Sequence, residues 1–176
     1  MRRIIIVVSA IAFLAALSGC VAPQNAPVVS VFDDENIESD AMSRINSGHS
    51  GKVHVTVTSF NRRLLLTGEV PNAASRAEIE KLVGGVPKVR AISNELVVDE
   101  ISGLSTRTTD SWITSDVKRR LRGSSALSSD QIKVVAENGA VYLMGNVNRK
   151  QGAAAAEIAS TTNRVQRVVL LFDYLD

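Results

Sequence analysis

Two places in this chain of 176 residues carry side chains whose type and spacing could do chemistry. One is Cys20, the only cysteine, a single thiol that excludes any internal disulfide. It follows an apolar run and closes the sequence Leu17-Ser18-Gly19-Cys20. The other is Trp112, the only tryptophan. At 100° per residue, Ile113, Val117 and Leu121 fall about 100°, 140° and 180° from Trp112 and form an apolar stripe. Arg119, Ser115 and Arg122 fall at about 340°, 300° and 280°, on the face that Trp112 shares, and Lys118 flanks them. An indole in such a place suits a membrane interface, where an amphipathic ring sits at headgroup depth. Guanidinium forks match phosphate geometry, and each basic group near an anionic lipid surface contributes about 1 kcal/mol. The alternative is that Trp112 packs under the segment 101–108 and the basic run is a solvated face.

Other chemistry has little support. His49 and His54 stand five residues apart around a Gly-rich turn with no second ligand cluster, so no metal centre is expected. Ser124, Ser125, Ser128 and Ser129 form a polar loop rather than a nucleophile, because both histidines precede residue 55 and none lies near them in sequence. There is no glycine-rich phosphate loop. The expectation is a non-enzyme without cofactor and without a nucleic-acid partner.

The elements that must position Cys20 and Trp112 are legible. Arg2 and Arg3 form a basic start, and Ile4–Leu17 is an apolar stretch broken only by Ser9. A helix needs roughly 20 residues to cross a hydrocarbon core of about 30 Å, so this stretch reads as a secretory signal over residues 1–19. Residues 20–33 then form a tether with two prolines, and a flexible chain of that length reaches roughly 20 Å. Residues 33–100 carry 8 basic and 11 acidic groups, whereas residues 101–176 carry 10 and 7. That shift points to an anionic partner for the second half.

The remainder is an internal repeat. Leu64–Val70 aligns with Val141–Val147, Ala77-Glu78-Ile79 with Ala156-Glu157-Ile158, and Val86 and Val89 with Val165 and Val168. The offset on this alignment drifts between 77 and 79 residues. Each unit reads αββαβ. In the first, a helix is expected around Ile37–Ile45, strands at Lys52–Thr58 and Leu64–Val70, a helix at Ala73–Val83 and a strand at Val89–Val98. In the second, a helix capped by Asp110 or Ser111 and stopped at Gly123 precedes strands around Ile132–Ala136 and Val141–Val147. Asn138-Gly139 between those strands is a hairpin signal. A helix over 151–161 and a strand over 165–175 complete it. The fold class is α+β: two tandem units, 34–100 and 109–176, joined by a linker at 101–108, each a three-stranded mixed sheet with helices on one face. One unit alone would be marginal. The uninterrupted apolar run Val168–Phe172 implies that the open sheet face packs against the other unit.

These residues carry a resemblance to the BON domain. The αββαβ order fits, as do the strands ending Leu65-Leu66-Thr67-Gly68 and Leu143-Met144-Gly145, the Ala-rich helix and the element Gly85-Val86-Pro87-Lys88-Val89. In the second unit Arg164 stands where a glycine is usual, and the first hairpin has Asn61-Arg62 where Asn-Gly is typical. The end of the signal resembles the lipobox of bacterial lipoproteins. Together they look like the family of dual-BON outer-membrane lipoproteins, on the segments 110–114 and 137–145. The resemblance implies acylation of Cys20 and cleavage before it, with an outer-membrane location, facing the periplasm, favoured by Val21. It also implies binding of anionic phospholipids such as phosphatidylglycerol and cardiolipin through the Trp112 helix, and a role in envelope integrity and at the division site. The competing class is a periplasmic chaperone or scaffold with envelope protein partners.

Overall fold

The computed structural model describes residues 28–101, 103–127 and 131–176. Cys20 and the expected signal lie outside the described residues, as do Ser128 and Ser129. Among the described residues no helix is long and apolar enough to cross a membrane.

The first unit runs α1 (Val28–His49), β1 (His54–Phe60), β2 (Arg63–Val70), α2 (Ala73–Gly84), β3 (Ala91–Asn94) and β4 (Val97–Val98). The second runs α3 (Leu104–Arg122), β5 (Ile132–Glu137), β6 (Ala140–Val147), α4 (Arg149–Ser160) and β7 (Arg167–Tyr174). In each, an antiparallel hairpin is joined by a parallel third strand beside its second strand. The protein is therefore α+β, with two mixed sheets. Where one strand was expected over Val89–Val98, the first unit has two short ones, both parallel to β2. Between them the Asn94 side chain accepts the N–H of Leu96 at 3.2 Å, and Leu96 turns into the core.

Period-two alternation divides each central strand between two cores. Leu64, Leu66 and Val70 of β2 pack with Ile37, Ala41 and Ile45 of α1 and Ile79 and Val83 of α2. Val141, Leu143 and Val147 of β6 pack with Ile113, Val117 and Leu121 of α3 and Ala155 and Ala159 of α4. The other faces meet each other: Leu65 lies in one cluster with Ala140, Tyr142 and Met144, flanked by Phe60, Val135, Val169 and Leu171. The inter-unit packing inferred from Val168–Phe172 is thus present, on alternate residues only. Val169 and Leu171 enter the seam, while Leu170 stays 41 % exposed.

The helix and strand ends differ from the expected ones in ways that have physical causes. Val28–Asp33, read as tether, are the first residues of α1. Asp33 is buried there and ion-paired with Arg62 at 2.8 Å and Lys88 at 2.6 Å, and the Lys88 bond chiefly holds its carboxyl below the usual range. Likewise α3 starts at Leu104, inside the expected linker, with Gly103 rather than Asp110 or Ser111 at its N-cap.

The repeat is also tighter than the alignment suggested. The N-caps Asn72 and Asn148, and the buried pairs Ile79–Ala155 and Val83–Ala159, all stand 76 apart. The loop bonds Val89 N–H to Val86 C=O and Val165 N–H to Thr162 C=O are equivalent. Val89 therefore corresponds to Val165, and the apparent match of 77–79 with 156–158 is a coincidence of Ala-rich composition. The glycines ending the Leu-Thr-Gly and Leu-Met-Gly runs serve close strand approach. A Cβ on Gly68 (φ 117) would lie 2.1 Å from the His54 carbonyl, and one on Gly145 2.5 Å from that of Gln131.

Ion pairs reinforce the seam. Asp173 of β7 accepts from Arg63 at 3.1 Å and from Arg90. Burial pushes the Asp173 carboxyl up, but the bonds from Arg63 and Arg90 outweigh it and hold the group below its ordinary value. A carboxylate with a lowered folded pKa contributes stability above its unfolded value of about 3.9, and that contribution is lost as pH falls through the folded value. Asp173→Asn should lower Tm by about 2–4 °C at neutral pH, equivalent to about 1 kcal/mol for these partly exposed groups. The difference from the unsubstituted protein should shrink below about pH 4. Thermal unfolding across pH checks this; a pH-independent difference would contradict it.

Candidate functional site: the outward face of the third helix

Helix α3 buries Asp110, Ile113, Val117 and Leu121 and turns its opposite face to solvent. Trp112 is 44 % exposed, and Ser115, Lys118, Arg119 and Arg122 are all exposed. Trp112 therefore does not pack under the segment 101–108, most of which is itself helical. Arg119 pairs with Asp116 one turn back on the helix, and the hydroxyl of Ser115 donates to the Ser111 carbonyl at 2.9 Å. Arg120, the remaining basic residue of the last turn, points elsewhere. It donates to the Ile158 carbonyl at 2.8 Å, binding the C-terminal end of α4 where a cation complements the helix dipole.

Two residues of this site escaped sequence reasoning. Arg164 lies in the turn between α4 and β7 in a left-handed conformation (φ 67), and its guanidinium stands 5.3 Å from the Trp112 ring centroid. This cation–π contact brings a further cation to the indole from outside the helix. Its signal in the sequence is the absence of the usual glycine at this position. Leu104, 81 % exposed, falls about 80° from Trp112 on the same outward side, two turns towards the N-terminus. An open groove of about 640 Å³ runs beside Arg164, between Ser105–Asp110 and the Asn138-Gly139 turn.

Asp110, expected as a cap, has a different task. Its two carboxylate oxygens accept the N–H groups of Asn138 and Gly139, each at 2.9 Å. Asp34 does the same in the first unit, accepting from Asn61 and Arg62 at 2.7 Å. Both hairpin turns have two residues with positive φ, 49° and 62° in the first and 48° and 73° in the second. Such two-residue turns favour Asn-Gly. Arg62 adopts the glycine conformation because Asp34 holds its N–H and Asp33 its guanidinium. The Asn138 turn borders a polar patch at the seam. His54 Nδ1 lies 2.8 Å from Glu69 Oε2, and Asn138 donates to Glu69 Oε1 at 2.6 Å. Burial pushes the nearby Glu137 carboxyl above its usual range.

The repeat makes the outward face of α3 stand out. Subtracting 76 from Trp112, Ser115, Lys118, Arg119 and Arg122 gives Asn36, Ser39, Met42, Ser43 and Asn46 on α1, without an aromatic or a cation.

The BON domain family matches residues 33–100 and 109–175, both units in turn. The chain belongs to the BON domain family. Among its relatives, the outer membrane lipoprotein DolP of Haemophilus influenzae is 36 % identical over 146 residues, covering 82 % of this chain and 76 % of that protein. The 21 kDa hemolysin of Actinobacillus pleuropneumoniae is 30 % identical over 145 residues, covering 81 % and 75 %. A solved C-terminal domain of CdsD, a structural protein of the Chlamydia trachomatis type III secretion system, covers 78 % of this chain at 14 % identity. It covers 96 % of the CdsD chain, but its TM-score of 0.34 is too loose a likeness to bear on fold or function. This chain is thus a two-BON relative of an outer membrane lipoprotein.

Stacking of Arg164 on the indole gives a direct check of the site in the second BON unit. Arg164→Ala should uncover one face of Trp112 and raise acrylamide quenching of its fluorescence. An exposed change of this kind should leave stability within about 0.5 kcal/mol. Unchanged quenching would mean that the two side chains do not stack in solution.

Proposed function

We propose that the protein is a non-catalytic lipoprotein of the outer membrane, facing the periplasm, which binds anionic phospholipid through the outward face of α3. Acyl chains on Cys20 attach it, and the second BON unit selects the lipid beneath it, phosphatidylglycerol or cardiolipin. Supporting envelope integrity at the division site, where such lipid is enriched, is part of this reading. The observation that carries it is the half-exposed Trp112 set among Ser115, Lys118, Arg119, Arg122 and Arg164, on a helix face whose counterpart positions on α1 hold no aromatic and no cation. Two or more acyl chains give stable attachment where one is marginal. With α1 beginning at Val28, only seven residues separate it from Cys20, which keeps the folded units close to the anchoring surface. Such confinement raises the effective lipid concentration, so modest headgroup affinity suffices. The similarity to an outer membrane lipoprotein over most of the chain supports the location.

The protein should cosediment with phosphatidylglycerol or cardiolipin liposomes and not with phosphatidylcholine, with a blue shift of Trp112 emission. Arg119→Ala or Arg122→Ala should each weaken binding about fivefold, the equivalent of about 1 kcal/mol per basic group. Undiminished binding by a Trp112→Ala, Arg119→Glu double variant would move the site elsewhere. Equal binding to neutral liposomes, or none, would favour the scaffold reading. For the anchor, metabolic labelling with radioactive palmitate should mark the protein and be lost in Cys20→Ser; a label retained by Cys20→Ser would remove Cys20 as the acylated residue.

A further inference from the structure

The seam between the sheets gathers ligand-type side chains from both units. Glu69 of β2 is 1 % exposed, with His54 Nδ1 of β1 against one carboxylate oxygen and the Asn138 amide against the other. Glu137, the last residue of β5, comes in from the second unit. One donor atom from each of His54, Glu69 and Glu137 lies within 4.8 Å of the others. Arg107 and Asp110 of α3 also face Glu137, one with positive and one with negative charge. Thr67, two residues before Glu69 on the same face of β2, is buried and its hydroxyl has no hydrogen-bond partner among the described residues. The cleft that leads to Glu69 and Glu137 is lined by Glu95, Asp99 and Glu100 as well, with Arg167 as its cation.

We propose that His54, Glu69 and Glu137 bind a divalent transition-metal ion, Zn²⁺ fitting best, which clamps the first BON unit to the second. One imidazole nitrogen and two carboxylate oxygens are a donor set for zinc with a fourth position open, whereas magnesium and calcium take oxygen ligands. Metal–ligand distances of about 2.0–2.2 Å place tetrahedral donors roughly 3.4 Å apart, so His54 Nδ1 and Glu69 Oε2, now hydrogen-bonded at 2.8 Å, would part slightly around the ion, and the Glu137 carboxylate already lies within 4.8 Å of them. The Asn138 bond to Glu69 orients that carboxylate from behind, and the hold of Asp110 on the Asn138 N–H fixes Asn138 in turn. The acidic cleft supplies an attractive approach for a cation. Because β1 and β2 belong to one unit and β5 to the other, the ion would tie them together without any reaction. This inference is independent of the lipid reading.

The test uses the full-length protein in a non-ionic detergent, stripped with chelator and titrated with Zn²⁺ alone by calorimetry and thermal unfolding. One ion should bind per chain, and Tm should rise by about 5–10 °C at a hundredfold excess over Kd. Glu137→Gln, close in shape and only partly buried, should keep the fold by circular dichroism and lose at least tenfold in Zn²⁺ affinity; His54→Ala should do the same. Absence of stoichiometric binding in the unsubstituted protein would overturn the proposal. So would binding that both variants retain, since the ion would then sit elsewhere.

Discussion

The burial of one sheet against the other is the contact on which the rest of this protein depends. Each unit has about 70 residues, and its helices can cover only one face of its sheet. Chains of that size are marginal on their own. The second face, with Leu65 on one side and Ala140, Tyr142 and Met144 on the other, finds its cover in the companion unit. Four helices are thereby forced outward, and the contacts of Asp173 on β7 and Glu69 on β2 lie between units rather than at a free surface.

The two units share a frame and differ in surface. Asp34 and Asp110 pin the hairpin turns, and Arg44 and Arg120 reach the carbonyls of Leu82 and Ile158 at the ends of the second helices. Asn72 and Asn148 cap those helices, and Lys88 and Arg164 take the same left-handed turn conformation. Every one of these pairs stands 76 residues apart, and all but Lys88 and Arg164 hold backbone groups. Outward positions diverge, and the change from Asn36 to Trp112 with cations gathered around it is confined to the second unit. Duplication supplied rigidity, and divergence at four positions of the outward α3 face, Trp112, Lys118, Arg119 and Arg122, supplied a candidate ligand face.

Much of the fold was legible because apolar periodicity and turn chemistry are local. Ile113, Val117 and Leu121 mark one helix face, and Asn138-Gly139 marks one hairpin, whatever surrounds them. The Trp112 face was legible for the same reason. What escaped depends on contacts distant in sequence. Asp110 looks like a cap until the hairpin 28 residues later is folded against it. Arg164 belongs to another element and reaches Trp112 only in three dimensions, and His54, Glu69 and Glu137 meet only across the seam. The early start of α1 was hidden by Val28–Asp33, where no apolar helical period announces a helix; burial of Asp33 against Arg62 and Lys88 ties that stretch to the first unit.

Amide chemical shifts of the isotopically labelled protein, recorded as bicelles containing phosphatidylglycerol are added, read all four outward helices at once. The two-unit body with a single lipid-selective face predicts perturbations grouped on residues 111–123 and on the 163–165 turn. Amides of α1, α2 and the seam strands should stay in place, and neutral bicelles should leave the spectrum unchanged. Perturbations centred on α1 or α2, or spread through Leu65, Tyr142 and Met144 as the seam opens, would contradict it.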